Sequence, residues 1–384
     1  MLKSTYVTAL CTFLLWSCNQ PAPKTPPSQD EESNWAFTDF EKVDSLNPIL
    51  KPSSALTFTD PITNETLKWE ERNVLNPSAV VKDDKVHLFY RAQDSSGTSR
   101  IGLAISDDGL HFEKRATPVF YPNNDEMKTY EWNYKKIDGS AKEDCKTCYF
   151  DGAEDPRIIE REDGTYIMTY TAYDGKTARL AIASSKDLLS WTKHGLVLQG
   201  EDYKDMWSKS GAIVVENVGS RTIAKKINGN YWMYFGDTSL FIATSSDLIT
   251  WEVLRNEENQ KMISVLHPRA GYFDSRLVEP GPFALYTPEG IVLIYNGSNA
   301  ANLNDPNLPK FTYAAGQALF DREAPYKLLD RTEGYFIHPD KEYEKVGEVN
   351  EVCFVEGLVK FKGKWFLYYG TADSKIAVAT LNAD

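Results

Sequence analysis

Along the chain a short apolar run rich in aromatic residues recurs. After a turn it is followed by a second run in which Ala or Gly alternates with larger apolar side chains, often closed by Ser-x-Asp and an aromatic. The paired runs are 86–90 with 100–106, 165–170 with 179–185, 230–235 with 240–246, 291–295 with 312–320, and 365–369 with 375–380. Period-two alternation with Gly and Asp at the turns predicts β-strands, and no long stretch carries the 3.6-residue period of an amphipathic helix. The copies recur at roughly 60 to 80 residues, which suits a four-stranded sheet with long loops. The expected architecture is all-β, a five-bladed β-propeller in which the same position of each repeat faces one central funnel. Residues 35–77 are expected to wrap the outside before 76–81 supply an inner strand. The polar residues 299–310 are expected to form a loop insert.

The two ends change the picture. Lys3, an apolar run over 6–16 and Ser17-Cys18 read as a secretory signal, since the run is too short to span a bilayer. Leu15-Trp16-Ser17-Cys18 resembles a bacterial lipobox, with Trp at its second place, and makes Cys18 the expected lipidated N-terminus. Residues 19–34 are rich in Pro, Ser, Gln and acid and read as a tether. The expected division is thus signal 1–18, tether 19–34 and one propeller domain over 35–384, at the bacterial cell envelope, with membrane contact only through the lipid. A net charge of −13 argues against nucleic acid or an anionic membrane surface as partner. Cys145 and Cys148 read equally as a loop disulfide or two free thiols, and one such pair does not make a zinc site. No metal and no cofactor are expected.

Charge is concentrated in Gly152-Ala153-Glu154-Asp155-Pro156-Arg157, which reads as a turn between two strand-like runs. Pro156 fixes its own φ and is expected to push Asp155 toward an extended conformation. Other polar residues fall at the ends of the repeats: Asn76, Arg91 and Asp94 in the first, Asp155, Arg157 and Tyr173 in the second, and Lys209 and Asp237 in the third. Asp274, Glu279, Tyr295 and Asn296 belong to the fourth and Asp373 to the fifth. Carboxylates and aromatic rings suit a neutral polyhydroxyl ligand: acids accept hydroxyl hydrogens, rings stack on C–H faces, and two acids can run acid/base hydrolysis. No Gly-x-Ser-x-Gly elbow, Walker loop or His-Glu-x-x-His is present, and the five histidines have no ligand spacing.

Gly152-Ala-Glu-Asp-Pro-Arg157, Tyr170-Thr-Ala-Tyr-Asp-Gly175, Ser184-Ser-Lys-Asp-Leu188, Lys226-Ile-Asn-Gly-Asn-Tyr-Trp-Met233 and Tyr368-Tyr-Gly-Thr-Ala-Asp373 together resemble glycoside hydrolase family 130. The resemblance runs from about Asn73 to Thr380. It implies a five-bladed propeller acting on β-mannosides with inversion, in a family that holds both phosphorylases and hydrolases. It also implies that Asp155 is the proton donor, acting in the phosphorylases through a sugar hydroxyl.

Phosphorolysis needs cations on the far side of the sugar, whereas hydrolysis needs a base. The phosphorylase pattern has Tyr-His-Gly where this chain has Tyr295-Asn296-Gly297, and a Gly-Ala-Gly-Pro-like loop where it has Val278-Glu279-Pro280-Gly281-Pro282. The resemblance therefore favours the hydrolase branch, with Glu279 as base and Asp237 as its partner at a position where the hydrolases carry Glu. The expected substrate is an oligosaccharide or glycan with β-mannosidic linkages, β-1,2 among them, attacked by an exo-acting enzyme. A mannosyl phosphorylase and a non-catalytic glycan-binding lipoprotein are the alternatives.

Overall fold

The computed structural model describes residues 35–137 and 150–383. The signal, Cys18, the tether, Cys145 and Cys148 lie outside the described residues. The chain is nearly all-β, and the described residues hold three one-turn helices, Lys128–Glu131, Tyr134–Ile137 and Glu342–Lys345.

Each sequence repeat folds as an antiparallel group. Asn73–Lys82 pairs with Lys85–Gln93 and that with Thr98–Ser106; Asp151–Glu160 leads to Tyr166–Tyr173, Ala178–Ser185 and Trp191–Leu196. Ala212–Val218, Tyr231–Phe235 and Leu240–Ser245 follow, then Leu277–Tyr286, Ile291–Ser298, Tyr313–Phe320 and Leu328–Arg331. Cys353–Phe361, Lys364–Thr371 and Lys375–Asn382 end the series.

The groups stack face to face, which is why a strand such as Ile291–Ser298 is buried at every position instead of alternating between core and water. Val80, Phe89 and Leu103 pack on Ile158, Met168 and Tyr170. Val214, Tyr234 and Ile242 meet Val278, Leu293 and Tyr295. Val74, Leu88 and Tyr90 meet Val359, Tyr368 and Val378, so the last group lies against the first and the arrangement is propeller-like.

The recurring Ser-x-Asp is a turn device. In three copies the Ser hydroxyl accepts a backbone N–H three residues on, from Gly109, Leu188 and Leu248, each at 2.8 Å. The Asp two residues after each Ser accepts the N–H groups of the next turn, from Leu110, Leu189 and Ile249, also at 2.8 Å.

Three expectations are corrected. The stretch around Asp155 is not a turn between strands but the interior of one strand, Asp151–Glu160, carrying a bulge: Glu154 faces Thr171 and Arg157 faces Thr169, so Asp155 and Pro156 share the space of one residue. Asp155 is not extended either, having φ of 49°, and Asn76, also followed by proline, has φ of 47°. Proline has no ladder hydrogen to donate, so the bulge takes up both its missing N–H and the left-handed residue before it. The segment before the first inner strand also does more than wrap the outside. Glu41–Lys42 pairs with Lys375–Asn382 and adds a strand to the last group, joining the beginning of the domain to its end. The loop over 299–310 is present as expected and is gathered by Asn299, whose Nδ2 donates to the carbonyls of Asp305, Leu308 and Pro309.

Asn47 fixes that closure: its Nδ2 donates to the Val378 carbonyl and its Oδ1 accepts the Val378 N–H, both at 2.9 Å. Asn47→Ala should lower stability by about 2 kcal/mol, because it leaves a strand amide without its partner. In urea unfolding the midpoint should fall with an unchanged slope. An unchanged midpoint would show that closure does not depend on this side chain.

Candidate active site

The inner strands of the groups share a local feature that places the site. Each carries, or directly follows, a polar residue next to proline or glycine: Asn76-Pro77, Asp155-Pro156, Ser210-Gly211, Glu279-Pro280 and Glu356-Gly357. In four of them the ladder register shifts at or just after this pair, and Ser210 of the remaining one has φ of 58°. The irregular backbone turns these side chains out of the ladder.

Asp155 lies at the middle of the resulting cluster. Its Oδ1 accepts from Asn76 Nδ2 at 2.8 Å and from Arg91 Nη1 at 3.3 Å. Arg91 is shared, because its Nη2 donates to Glu154 Oε1 at 2.7 Å while its Nε donates to Ser99 Oγ at 3.0 Å. Ser99 in turn donates to Glu154 Oε1 at 3.1 Å. Arg157 reaches across to the fourth group: Nε donates to the Gly281 carbonyl at 2.7 Å and Nη2 to the Pro280 carbonyl at 2.8 Å. Its Nη1 lies 3.3 Å from both the Asp155 carbonyl and Glu356 Oε1. Glu279 is buried, accepts the Ser210 hydroxyl, and has Lys209 Nζ at 3.2 Å from Oε1.

Close spacing replaces the usual matching of acid with base by a crowd of carboxylates around few cations. Burial raises Glu279, against the pull of Lys209, and raises Glu356 well above the usual range, against Arg157. Burial also lifts Asp373 to about 6, although Arg91 opposes it. Within the adjacent pair, burial lifts Glu154 to about 7 with Arg91 opposing and Asp155 adding to the rise. Asp155 goes the other way: burial would raise it, but Arg91, Lys209, the Asn76 hydrogen bond and Arg157 outweigh burial. The pair therefore holds its proton on Glu154 while Asp155 carries the charge. Lys209 is held cationic, since Glu279, Asp155 and Asp237 outweigh the effect of burial.

The structure thus brings together Asn76, Arg91, Asp155, Arg157, Lys209 and Glu279, with Asp373 close enough to act on Arg91 and Asp155. Tyr173 and Asp237 stand at the rim, where Trp207 touches both: Trp207 Nε1 donates to Asp237 Oδ2, and its ring meets that of Tyr173 edge-on at 6.0 Å between centroids.

Four expected residues are engaged elsewhere. Asp94 accepts from the amides of Ser96 and Thr98 and from Arg100 Nη1 at 2.7 Å, in a buried turn. Asp274 is fully buried, accepting from Arg331, from Arg269 and from the Tyr295 hydroxyl at 2.7 Å, so acid and tyrosine satisfy one another. Asn296 exchanges two hydrogen bonds with the Val355 backbone, at 3.0 and 2.8 Å, and braces the fourth group on the fifth. For Asp274, Tyr295 and Asn296 a partner distant in sequence uses the polar atoms that were expected to face a ligand, and for Asp94 the turn that follows it and Arg100 do so. Glu154 was read only as one of the two carboxylates of the charged stretch, and Ser210, Glu356 and Trp207 were not singled out from the sequence. The first two adjoin residues that were, and Glu356 carries the polar-then-glycine signature of the other inner strands. Among the described residues no group of three or more His, Cys, Asp or Glu side chains is placed to hold a metal ion.

Comparison with known proteins follows the same line. A family model described as beta-1,4-mannooligosaccharide phosphorylase matches residues 41–384. A 1,2-beta-oligomannan phosphorylase from a Thermoanaerobacter species is 29% identical over 325 residues, covering 82% of this chain and 91% of its own. The crystal structure of a putative glycosidase from Bacteroides thetaiotaomicron superposes with a TM-score of 0.85 at 42% identity, covering 92% of this chain and 99% of that one. A second solved structure has the same TM-score and identity and covers 92% of this chain and 96% of its own. It was described with the statement that the family of mannoside phosphorylases contains glycoside hydrolases that target beta-1,2 mannosidic linkages in Candida mannan. Matched over nearly all of its described length, the chain belongs to glycoside hydrolase family 130, whose members act on β-mannosidic linkages.

Proposed function

We propose that this protein is an inverting, exo-acting β-mannosidase that hydrolyses mannose-containing glycans, β-1,2 linkages among them. Its strand groups are read as the five blades of a propeller, and Cys18 as a lipid anchor at the bacterial envelope. The observation that carries the reading is the state of the cations at the centre. Lys209 is paired with Glu279, Arg157 is engaged by carbonyls and Glu356, and Arg91 by Glu154 and Asp155. A phosphate dianion would enter beside Glu279 and meet carboxylates whose countercharges are already committed. A water molecule there would meet a buried carboxylate able to take its proton.

In this mechanism Glu279 removes a proton from water as the oxygen attacks the anomeric carbon. The glycosidic bond breaks on the opposite face, and the leaving oxygen receives the proton held by the Glu154–Asp155 pair. Arg91 donates to both carboxylates and so stabilises the negative charge left on the pair when that proton is given up. The second reading, a mannosyl phosphorylase, is favoured by Lys209, a cation at this same corner, and by the phosphorylase relative at 29% identity.

Products separate the two. Incubated with β-1,2-mannobiose, the protein should release mannose at a rate independent of added phosphate; formation of mannose 1-phosphate would overturn the hydrolytic reading. Asp155→Asn and Glu279→Gln should each lower kcat by about a thousandfold, measured as mannose released under saturating substrate. Retention of wild-type kcat by either variant would remove that residue from its role.

The pH profile should be bell-shaped. Activity rises with pH as Glu279 loses its proton, at a pKa above the ordinary glutamate range. It falls again as the pair loses its proton near the value of about 7 set by Glu154. Glu154→Gln should displace the alkaline limb and leave the acid limb in place. An alkaline limb unmoved by that change would separate Glu154 from the proton supply.

A further inference from the structure

Next to Lys209 of the catalytic cluster, the segment leading into the third group and that group's own hairpin enclose a cavity of about 490 Å³. It is lined by Met206, Trp207, Ser208, Phe235, Asp237 and Phe241. Its size falls within the range of small-molecule sites. Trp207 is 47% exposed, although indole is among the side chains that gain most from burial. The ring is nevertheless held. Its N–H is tied to Asp237 and it meets Tyr173 edge-on, so the indole is fixed in orientation while about half of it stays open to water.

The position is continuous with the reacting centre. Lys209, two residues from Trp207, accepts the Gly236 N–H on its carbonyl at 2.9 Å. Its ammonium lies within the electrostatic reach of Asp237, Glu279 and Asp155 together. A flat, fixed aromatic face bordered by a carboxylate and by the hydroxyls of Ser208, Thr238 and Ser239 matches a pyranose ring, with apolar C–H groups on its face and hydroxyls at its edge.

We propose that Trp207 is the platform for a second sugar ring of the substrate glycan, outside the residue being cleaved, and that Asp237 is the positioning residue that holds the indole. This rests on the glycosidase reading of the cluster and replaces the paired-base role expected for Asp237 from the sequence. Asp237 Oδ2 accepts the indole hydrogen and Oδ1 lies 3.5 Å from the Thr238 hydroxyl. The base role rests on Glu279 alone, and the part of Asp237 is to accept a hydrogen bond.

The test compares β-mannobiose, which has a second ring, with β-mannosyl fluoride, which has none. For Trp207→Ala the ratio of kcat/KM on mannobiose to that on the fluoride should fall roughly tenfold, mainly through KM. Trp207→Phe, which retains a ring, should fall less. Asp237→Ala should lower the ratio as Trp207→Ala does. Asp237→Asn, whose amide oxygen still accepts the indole hydrogen, should recover most of it, and the Trp207→Ala/Asp237→Ala double variant should lose little more than either single one. An unchanged ratio in Trp207→Ala would overturn the platform. Loss of kcat on both substrates in Asp237→Asn, as large as in Asp237→Ala, would make Asp237 a proton-transfer group and overturn the positioning role. Wild-type protein inert toward both substrates would fail the glycosidase reading itself, before any variant is compared.

Discussion

Arg157 sits where the second and fourth strand groups meet and gives its guanidinium to three backbone carbonyls, those of Pro280, Gly281 and Asp155, with Glu356 behind it. Burying a cation in this way costs several kcal/mol unless its hydrogens are satisfied, and each hydrogen bond from a charged donor contributes about 1.5–3 kcal/mol. The arrangement is therefore stable only with all its partners in place. Asp155 is on one side of that clamp and Glu279, next to Pro280, on the other. Neither strand can shift without breaking bonds to the same side chain. An acid and a base on different strand groups are in this way held as one rigid unit, which proximity catalysis requires.

The inner strands supply the second requirement, side chains that leave the ladder. A regular strand would point alternate residues into the sheet-to-sheet cores, where Val80, Ile158 and Val278 already sit. A bulge or a left-handed residue turns Asn76, Asp155 and Ser210 away from that alternation. Gly152, with φ of 118°, allows the second group's inner strand to run close to the first: a Cβ there would lie 2.2 Å from the Ser99 carbonyl oxygen. Ser99 is the hydroxyl that links Arg91 to Glu154, so this close approach brings the shared cation within reach of the acid pair.

Charge crowding follows from that geometry. Glu154, Asp155, Glu279, Glu356 and Asp373 surround Arg91, Arg157 and Lys209, and burial prevents water from relieving the imbalance. Protons relieve it instead, by residing on the carboxyl groups that lack a dominant partner. Glu356 is the extreme case, with neither oxygen hydrogen-bonded and with Arg157 and Lys209 together too weak to offset its burial beside Asp155 and Glu279. Asp155 stays ionised because four positive or donating groups converge on it. The distribution of cations, not the identity of the acids, decides which carboxyl holds a proton in the free protein.

The strands, the Ser-x-Asp turns and the repeat could be read from the residues in line, because alternation and Ser-x-Asp chemistry act over a few neighbouring positions. Asp155, Glu279 and Arg91 were legible as candidates for one cluster for the same reason, lying at corresponding places in the repeats, and the structure brings them together. The polar-then-Pro or Gly pair at Glu356 was equally present in line, but only superposed bulges gave it meaning. Whether a polar side chain faces a ligand or a neighbour was decided by tertiary structure alone. Asp94 follows a strand, Asp274 precedes one and Tyr295 lies within one, and Arg100, Arg269 and Arg331 engage them. Asp237 meets Trp207 from thirty residues away. Local sequence determines where a side chain can point, but its hydrogen-bonding capacity is spent by whichever group the packing of distant strands brings within 3 Å, and that is set only when the sheets stack.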